Sequence, residues 1–381
     1  MTHDVVVLGA GYAGLTAVNR LAGRLRNADA RVTLVNARDH FVERVRLHQL
    51  AAGQQLRRRS LRDLTRDRPV ALAVGEVTGI DLAGQVVHVA GRDLRFDTLI
   101  YALGSEADLA AVPGAAEHAS TVATYEAASA LRARLSALPR EGVVAVVGGG
   151  LTGIETAAEL AGGRRVELLT AGTLAAGVSA GGRDHLRRGL HRLGVTVREQ
   201  TRVAKVTPDG VVLADGSVVA ADETVWTAGF RAPALAARAG LAVDAQGRVL
   251  TDAVLRSTSH PHVYAAGDAA AALVPDGRVS RMSCQTGLPM GAQVADIVAG
   301  ELTGRSPRPP RIRYVWQNIS LGRHDGLTQF VRTDDTPVGA TLTGRTAAGF
   351  KEAVTRATIL AVRRPGLGGV RGGSDRLRGS A

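Results

Sequence analysis

Two glycine-rich segments of the chain have the residue types and the spacing that bind phosphate. Residues 9–14 read GAGYAG and residues 148–153 read GGGLTG, so each fits the pattern Gly-x-Gly-x-x-Gly. In this pattern the first glycine allows a tight turn, the second lets a pyrophosphate approach the backbone, and the third permits close packing of a helix on a strand. The following helix offers free N–H groups and the positive end of its dipole to the phosphates. The sequence therefore predicts two dinucleotide sites, and the alternative is two glycine-rich turns without ligand.

Both motifs lie between a predicted strand and a predicted helix, which is the placement that this chemistry requires. A short Val-rich run precedes each motif, a helical stretch follows it, and a further β-like run completes each βαβ unit. We predict strands at residues 4–8, 31–35, 143–147 and 165–169, and helices at residues 15–26 and 154–161. We also expect residues 70–74 and 86–90 to pair with each other, and residues 195–198, 210–213 and 223–229 to form a parallel arrangement.

The composition excludes several classes of protein. With 381 residues, 45% hydrophobic and 22% charged, the chain has room for two or three folded domains and is not globally disordered. No apolar run approaches the roughly 18 residues that span a bilayer, so we expect no transmembrane helix. The net charge of +12 comes almost entirely from arginine, and 3% aromatic residues are too few for base stacking, so we expect no nucleic-acid partner. Cys284 is the only cysteine, which excludes a redox-active cysteine pair.

A late Tyr-Ala-Ala-Gly-Asp sequence at residues 264–268, together with the two motifs, resembles the two-dinucleotide-binding flavoprotein superfamily. Within it, residues 32–49 and the Ser-Leu-Gly-Arg-His-Asp-Gly run at residues 320–326 are most similar to type II NADH dehydrogenase-like, FAD-dependent pyridine nucleotide oxidoreductases. The resemblance implies an α/β fold with two Rossmann-like domains, an FAD domain into which an NAD(P)H domain is inserted, and a small C-terminal region. The expected boundaries are residues 1–112 and 231–303 for the FAD domain, 113–230 for the NAD(P)H domain, 311–363 for the C-terminal domain, and 364–381 for a disordered tail.

The resemblance also assigns cofactor-binding residues. Asp268 matches the residue whose carboxylate accepts hydrogen bonds from the flavin ribityl hydroxyls, and the alternative is a turn residue that caps the next helix. The residues expected to bind FAD are Gly9, Gly11, Tyr12, Ala13, Gly14, Asn36, Gly104, Gly267 and Asp268. Those expected to bind NADH or NADPH are Gly148, Gly150 and Gly153.

Two positions depart from the family pattern. An acidic residue usually ends the second strand of each unit and binds the ribose diol, but the chain has Asn36 in the first unit and Thr170 in the second. Asparagine can still form hydrogen bonds in both directions, and FAD carries no 2′-phosphate, so we keep FAD as the first cofactor. No arginine directly follows Thr170, and the sequence alone leaves both NADH and NADPH open.

Three side chains are candidates for catalysis. In the resembled family a glutamate at the position of Glu155 lies beside the nicotinamide, and the alternative is ordinary compensation of a helix dipole. Residues 283–302 resemble the helix that points its N-terminus at the flavin pyrimidine ring, which makes Gln285 and Thr286 candidates for contacts with the ring or with an acceptor. Pro289 is expected to be tolerable in this helix only within its first turn.

Two other features of the sequence lead to negative expectations. Cys284 adjoins the N-terminus of this helix, and a small buried side chain is its favoured interpretation. The spacing of His, Cys, Asp and Glu shows no metal site.

The function that follows is an FAD-dependent oxidoreductase that takes hydride from NAD(P)H onto flavin N5 and passes electrons to a quinone-like or other organic acceptor. One alternative is a pathway-specific flavoenzyme of secondary metabolism that acts on a soluble organic substrate. Another is a flavin-binding sensor or scaffold without turnover. We expect a cytoplasmic protein, with peripheral contact at the inner face of the membrane at most weak, and a homodimer is left open.

A C-terminal helix is the segment on which any membrane contact would depend. It is predicted at residues 347–362, and its expected apolar face consists of Phe350, Ala353, Val354, Ala357, Leu360 and Ala361.

Overall fold

The computed structural model describes residues 2–139, 141–274, 277–304 and 312–365. The α-helices are α1 (Tyr12–Arg24), α2 (Leu47–Ala51), α3 (Leu61–Thr65), α4 (Ala115–His118), α5 (Tyr125–Ala137), α6 (Leu151–Leu160), α7 (Ala180–Arg192), α8 (Leu235–Arg238), α9 (Cys284–Leu302) and α10 (Gly344–Arg363). Short 3₁₀ turns occupy Arg44–Arg46 and Gly267–Ala269.

The strands are numbered in chain order in the same way. The first nine are β1 (His3–Leu8), β2 (Ala30–Asn36), β3 (His40–Phe41), β4 (Arg59–Ser60), β5 (Val70–Val74), β6 (Val77–Asp81), β7 (Val86–Val89), β8 (Arg92–Arg95) and β9 (Thr98–Tyr101). The next nine are β10 (Glu106–Ala107), β11 (Ala119–Ser120), β12 (Val143–Val147), β13 (Arg165–Leu169), β14 (Val195–Arg198), β15 (Val203–Thr207), β16 (Gly210–Leu213), β17 (Val218–Ala220) and β18 (Glu223–Trp226). The last seven are β19 (Phe230–Arg231), β20 (Val249–Leu250), β21 (Val263–Ala265), β22 (Ala270–Ala271), β23 (Trp316–Ser320), β24 (Gly326–Val331) and β25 (Pro337–Thr343).

The first large sheet is parallel and has the strand order β21-β9-β1-β2-β5. Its strand β1 is apolar and almost entirely buried, which is typical of a parallel strand covered by helices on both faces. The first glycine motif follows β1 directly, and α1 begins at Tyr12 inside the motif. Strand β21 joins this sheet from far along the chain, so the chain returns to the first sheet after it has formed the second.

The second large sheet is also parallel, with the order β11-β18-β12-β13-β14. Its strand β12 leads into the second glycine motif, and α6 begins at Leu151 within that motif. The two sheets confirm the predicted α/β class, in which each dinucleotide motif joins a buried strand to a helix. The domain boundaries given above stay predictions.

Two expected strand pairings were wrong. Strand β5 is the edge of the first parallel sheet beside β2, whereas β7 pairs antiparallel with β6 and β8 in a separate small sheet. Strand β16 likewise belongs to an antiparallel sheet with β15 and β17 and does not extend the parallel one. Short apolar runs identify strands but not their partners, because the pairing depends on which faces the tertiary structure buries.

Helix α9 packs against α1 at a distance that only glycine permits. A Cβ built on Gly291 would lie 2.2 Å from the carbonyl oxygen of Ala13, and one built on Gly267 would lie 2.9 Å from the Cβ of Ala13. Gly267 also has a φ of +74°, which favours glycine. This contact brings the first glycine motif, the Gly-Asp turn and the N-terminal half of α9 together.

Pro289 lies in the second turn of α9, so the expectation that it would be tolerated only in the first turn was wrong. Proline has no N–H to donate to the carbonyl four residues earlier, which here is the carbonyl of Gln285. The helix nevertheless continues to Leu302, because apolar side chains along its whole length are buried in the core.

The C-terminal region combines the antiparallel sheet β23-β24-β25 with α10, which also packs on α1. The predicted apolar face of α10 was wrong in part, since Ala353, Ala357 and Leu360 are exposed. The buried side of α10 instead carries Ala347, Thr355, Thr358, Ile359 and Val362. The two threonines can be buried because their hydroxyls donate to backbone carbonyls of their own helix at 2.9 Å and 2.7 Å.

The predicted disordered tail at residues 364–381 lies outside the described residues, apart from Arg364 and Pro365. In the described part of the chain, no helix combines the length and the apolar character needed to cross a membrane.

We predict that Gly291→Ala destabilises the protein, because the added methyl group would overlap the Ala13 carbonyl oxygen. The expected loss is about 1–3 kcal/mol in the free energy of unfolding, as in other overpacked contacts. Gly349→Ala is the matched control, since Gly349 is an exposed residue of α10 and an added Cβ meets nothing within 4 Å. That variant should be neutral or stabilised by up to about 1 kcal/mol. Urea unfolding measures both, and equal effects would contradict the close contact between α1 and α9.

Candidate functional site

A cavity of about 1990 Å³ lies between the second sheet, α9, α10 and β23. Its wall includes the second glycine motif, the end of β13, residues 201–203 after β14, the N-terminal turns of α9, and one side of α10. Sites for single small ligands usually enclose about 300–1,000 Å³. The cavity therefore has room for more than one ligand, which is what transfer between two bound molecules requires.

The second glycine motif has the geometry of a dinucleotide-binding turn. Gly148 has a φ of +125°, and a Cβ on Gly153 would lie 1.8 Å from the carbonyl oxygen of Gly148. A Cβ on Gly150 would meet no protein atom within 4 Å. The first and third glycines are thus required by the protein's own packing, while the second leaves open space in front of the backbone, where a pyrophosphate could approach.

The first motif repeats this geometry. Gly9 has a φ of +95°, a Cβ on Gly14 would lie 1.8 Å from the Gly9 carbonyl oxygen, and a Cβ on Gly11 would meet nothing within 4 Å. The side chain of Asn36 is tied to this turn, because its Oδ1 accepts a hydrogen bond from the N–H of Ala10 at 2.9 Å. The residue that replaces the usual carboxylate therefore holds the motif in place, and its contact with a ribose stays a prediction.

Asp268 lies in a polar cluster at the carboxyl ends of β9 and β21. Ser105 Oγ donates to Asp268 Oδ2 at 2.7 Å, and Arg44 Nη1 donates to Ser105 Oγ at 3.1 Å. Arg44 Nη1 is also 3.6 Å from Asp268 Oδ2. Asp268 lies inside a 3₁₀ turn, and the next helix, α9, is capped by Ser283, so the capping alternative is not what the structure shows. Gly104, with a φ of +74°, brings its backbone beside Arg44, where an added Cβ would lie 3.4 Å from Nη1.

Glu155 is buried and forms an ion pair with Lys351 of α10. Its Oε1 also accepts the backbone N–H of Ser320 at 3.0 Å, and Lys351 Nζ donates to Ser320 Oγ at 2.9 Å. Glu155 is the fifth residue of α6, beyond the first turn where a carboxylate would compensate the helix dipole. Glu155 and Lys351 both line the cavity, so the pair presents charge to whatever binds there.

His48 lies beside this pair, with its Nδ1 at 3.8 Å from Glu155 Oε2. Burial lowers the pKa of His48 to about 4, more than the nearby Glu155 carboxylate raises it. The imidazole is therefore neutral at physiological pH. Its Nε2 is buried and has no hydrogen-bond partner among the described residues.

The structure places the two candidate residues at the start of α9, Gln285 and Thr286, in different environments. Gln285 lines the cavity and accepts a hydrogen bond from Arg281. Thr286 is buried, and its Oγ1 lies 2.8 Å from the carbonyl oxygens of both Arg281 and Ser283, either of which can accept its one hydroxyl proton. Thr286 thus shapes the helix start together with the Ser283 cap, and its contact with a ligand stays a prediction that this position does not favour. Burial raises the pKa of Cys284 to about 11, so this residue is a neutral thiol. The residue is only partly buried and lines the cavity, so its interpretation as a small buried side chain holds only in part.

Four residues of the site were not among the predicted site residues. Lys351, Ser320, His48 and Arg44 come from segments far from Glu155 and Asp268 and belong to neither glycine motif. Arg44, His48 and Ser320 do fall within the two segments that carry the family resemblance, residues 32–49 and 320–326. Lys351 had one weak signal, since it is one of only two lysines in a chain otherwise dependent on arginine for positive charge. Among the described residues, no group of His, Cys, Asp and Glu could hold a metal ion.

Comparison with known proteins identifies relatives along most of the chain. Residues 3–296 match the model of the family described as pyridine nucleotide-disulphide oxidoreductase. An NADH dehydrogenase-like protein of Mycobacterium tuberculosis is 34% identical, with 84% of this chain and 85% of that protein covered. A demethylphylloquinone reductase of Synechocystis is 27% identical, with 84% of each protein covered. The fold is similar to that of NDH2 from Plasmodium falciparum in complex with NADH, with a TM-score of 0.79, 15% identity, and coverage of 95% of this chain and 98% of that one.

We predict that Lys351→Met destabilises the protein by about 3–5 kcal/mol, because it leaves the Glu155 carboxylate buried without its counter-charge. The double variant Glu155→Gln, Lys351→Met should recover most of this loss. Arg356→Met is the matched control on the same helix, since the side chain of Arg356 is 76% exposed and its ion pair with Glu352 should contribute less than about 1 kcal/mol. Urea unfolding of the wild type and the three variants measures these effects, and a double variant no more stable than Lys351→Met alone would contradict the ion pair.

His48 should make the stability depend on pH. Its pKa is about 4 in the folded protein against 6.5 as the ordinary value, so below pH 6.5 the unfolded chain takes up a proton that the folded protein does not. This contribution to stability is complete above pH 6.5 and is lost as the pH falls towards 4, with about 2 kcal/mol lost at pH 5. The loss between pH 7.5 and 5 should be smaller in His48→Gln. Exposed His262 serves as the control, and a His262→Gln variant should follow the wild type.

Proposed function

The chain belongs to the pyridine nucleotide-disulphide oxidoreductase family, and on this premise we propose that it transfers hydride from NAD(P)H to bound FAD and passes the electrons to a quinone-like acceptor. Family membership confirms the predicted enzyme class, an NAD(P)H oxidoreductase, and its predicted cofactors, FAD and NADH or NADPH. The observation that carries the proposal is the presence of two dinucleotide-binding turns of the same geometry, the second of which lines a cavity whose wall also holds a buried Glu155–Lys351 pair.

The residues around the first motif fit FAD. Gly11 leaves open space in front of a turn whose helix, α1, presents its N-terminus, and this suits a pyrophosphate. Arg44 adds a positive charge nearby that could bind a phosphate, and Asp268 and Ser105 offer oxygen atoms for hydroxyl groups. Gly9, Gly11, Gly14 and Asp268 are accordingly the residues that we propose to hold this cofactor.

The residues around the second motif fit a pyridine nucleotide. The open space before Gly150 belongs to the same cavity that reaches α9 and α10. A nucleotide held at its pyrophosphate by this turn would lie in the cavity that Glu155 and Lys351 line. Gly148, Gly150 and Gly153 are therefore proposed to hold NAD(P)H, with Glu155 near its reactive end.

Bound FAD supplies the chemistry of the reaction, because its ring system accepts a hydride and releases electrons to a second substrate. The chain's own contribution is positioning and charge. Hydride transfer brings negative charge into the cavity, where the Lys351 ammonium and the N-terminus of α9 provide positive potential. Reduction of a quinone to a quinol also consumes two protons. Lys351 Nζ carries a proton at the cavity wall, and Glu155 and Ser320 hold this group in a fixed direction.

A quinone-like acceptor is supported by the relatives' names and by the walls of the cavity. The Synechocystis relative is named for reduction of a quinone. The cavity wall near α9 and β23 contains Tyr314, Trp316 and Leu288, whose rings and apolar atoms suit a flat aromatic molecule.

We propose that any membrane contact is weak and peripheral, since Leu360 is the single large apolar side chain exposed on the described part of α10.

Anaerobic titration tests the proposed function. The purified protein should be yellow with bound FAD, and NADH or NADPH should bleach its visible absorbance, after which a quinone should restore it. A colourless protein that cannot be reconstituted with FAD would contradict the proposal. Reduction without turnover on any of a panel of quinones would instead favour a soluble organic substrate other than a quinone.

Two glycine variants test the assignment of the two cofactors. Gly11→Val and Gly150→Val each place a Cβ where no protein atom lies within 4 Å, so both should fold with an unfolding free energy close to that of the wild type. Gly11→Val should lose at least about tenfold in FAD affinity, a loss equal to about 1.4 kcal/mol. Gly150→Val should keep FAD but lose rapid reduction by NAD(P)H. Each variant is the control for the other, and an exchange of the two outcomes would mean that the assignments are reversed.

A further inference from the structure

We propose that the pyridine nucleotide site selects NADPH over NADH, and that Arg202 binds the 2′-phosphate that distinguishes the two. The proposal rests on the proposed function, because it concerns the specificity of the same site. It depends on how the ends of two neighbouring strands meet at the edge of the cavity.

The group that usually selects NADH is absent from this edge. Selection of NADH depends on a carboxylate at the end of the second strand of the unit, which accepts hydrogen bonds from the ribose 2′-hydroxyl and repels a 2′-phosphate. Here that strand is β13, and the uncharged residues Thr170, Ala171 and Gly172 follow it in the cavity wall. The Thr170 side chain lies against the second motif, where a Cβ on Gly149 would be 2.6 Å away from it. A threonine at this place can donate to a phosphate and does not repel it.

Arg202 reaches the same edge from the next strand. The N–H of Thr170 donates to the carbonyl of Arg198 at 3.0 Å, and the N–H of Thr201 donates to the carbonyl of Thr170 at 2.8 Å. The N–H of Gln200 also donates to the carbonyl of Gly172 at 3.2 Å. The segment after β14 therefore runs beside the end of β13, and Arg202 is the residue directly after Thr201. Like Thr170 and Gly172, Arg202 lines the cavity.

The charge on Arg202 is available to a ligand. Its side chain is exposed, and no carboxylate among the described residues lies within ion-pair distance of its guanidinium. A guanidinium binds a phosphate through two parallel hydrogen bonds, which makes arginine well suited to a 2′-phosphate.

The carboxylates of the surrounding segments are already bound. Glu199 pairs with Arg187 at 3.0 Å and accepts the N–H of Leu174, and the bond from Arg187 lowers the pKa of Glu199. Glu167 pairs with Arg198 at 2.8 Å.

Asp215 is the third of these carboxylates, in a turn adjacent to the backbone of Arg202. It accepts the N–H and the hydroxyl of Ser217 at 3.0 Å and 2.7 Å, and it does not line the cavity. The unpaired charge that remains in this part of the cavity wall is positive.

The binding of two small nucleotides tests this directly in the FAD-loaded protein. Calorimetry should show that 2′,5′-ADP binds at least about tenfold more tightly than 5′-ADP, because the two differ by the 2′-phosphate alone. Arg202→Ala should remove most of this difference by weakening 2′,5′-ADP. Thr170→Asp should reverse the preference, because it restores the carboxylate. Arg95→Ala is the matched control, since exposed Arg95 on β8 carries the same charge far from the second motif and its loss should leave both affinities unchanged.

The outcomes separate this proposal from the proposed function. Equal affinity for 2′,5′-ADP and 5′-ADP, or an unchanged difference in Arg202→Ala, would overturn the role of Arg202. The ratio of kcat/KM for NADPH to that for NADH should fall in parallel with the ratio of affinities in Arg202→Ala. If NADH and NADPH reduce the flavin equally well, the proposed preference for NADPH is wrong, and the assignment as an NAD(P)H oxidoreductase stands. If 2′,5′-ADP binds more tightly but neither nucleotide reduces the flavin, the proposed function is wrong and the 2′-phosphate site stands. If neither small nucleotide binds, the role of Arg202 is wrong, and anaerobic reduction by NADH or NADPH decides the proposed function.

Discussion

The buried ion pair between Glu155 and Lys351 is the interaction on which the arrangement of the site depends. Glu155 belongs to the helix that follows the second glycine motif, and Lys351 belongs to the C-terminal helix, nearly two hundred residues later. Neither charge could be buried alone, because an unpaired ion in the protein interior costs several kcal/mol. The pair therefore fixes α10 against the nucleotide-binding unit, and Ser320, which contacts both partners, fixes β23 as well. These three elements form much of the wall of the cavity.

A second constraint, made of small residues, positions the other side of the cavity. Gly291 and Gly267 let α9 and the Gly-Asp turn approach Ala13 in the first motif more closely than any side chain would allow. The N-terminal turns of α9 consequently lie at the cavity, and the first motif lies next to Asp268. The ion pair thus places charge in the wall of the cavity. The glycine contacts bring the backbone of α9 and of the Gly-Asp turn close to the first motif, where a cofactor is proposed to bind.

Charge is distributed along the cavity in a way that suits the proposed chemistry. Arg44 lies beside Asp268, Lys351 pairs with Glu155 of α6, and Arg202 comes just after β14 of the second sheet, and all three line the cavity. Each is placed where an anionic or electron-rich part of a ligand is expected, namely a pyrophosphate, the reacting rings, and a 2′-phosphate. The neutral state of His48 fits this pattern, since a further buried positive charge beside Lys351 would be strongly unfavourable.

The sequence by itself determined the local features of this protein. The two glycine motifs and the strands and helices around them follow from spacing and periodicity, because tight turns and buried parallel strands constrain residue types within a few positions. The fold class and the enzyme class were implied by the resemblance of these motifs, and of the segments at residues 32–49, 264–268 and 320–326, to a known family. Tertiary structure alone decided the pairing of β5, β7 and β16, the buried face of α10, and the partners of Glu155. It also decided that Arg202 lies at the same edge of the cavity as Thr170, although the sequence shows no arginine directly after that threonine. These contacts join residues that are far apart in the chain, and they form only when packing brings the segments together, so no short-range pattern in the sequence encodes them.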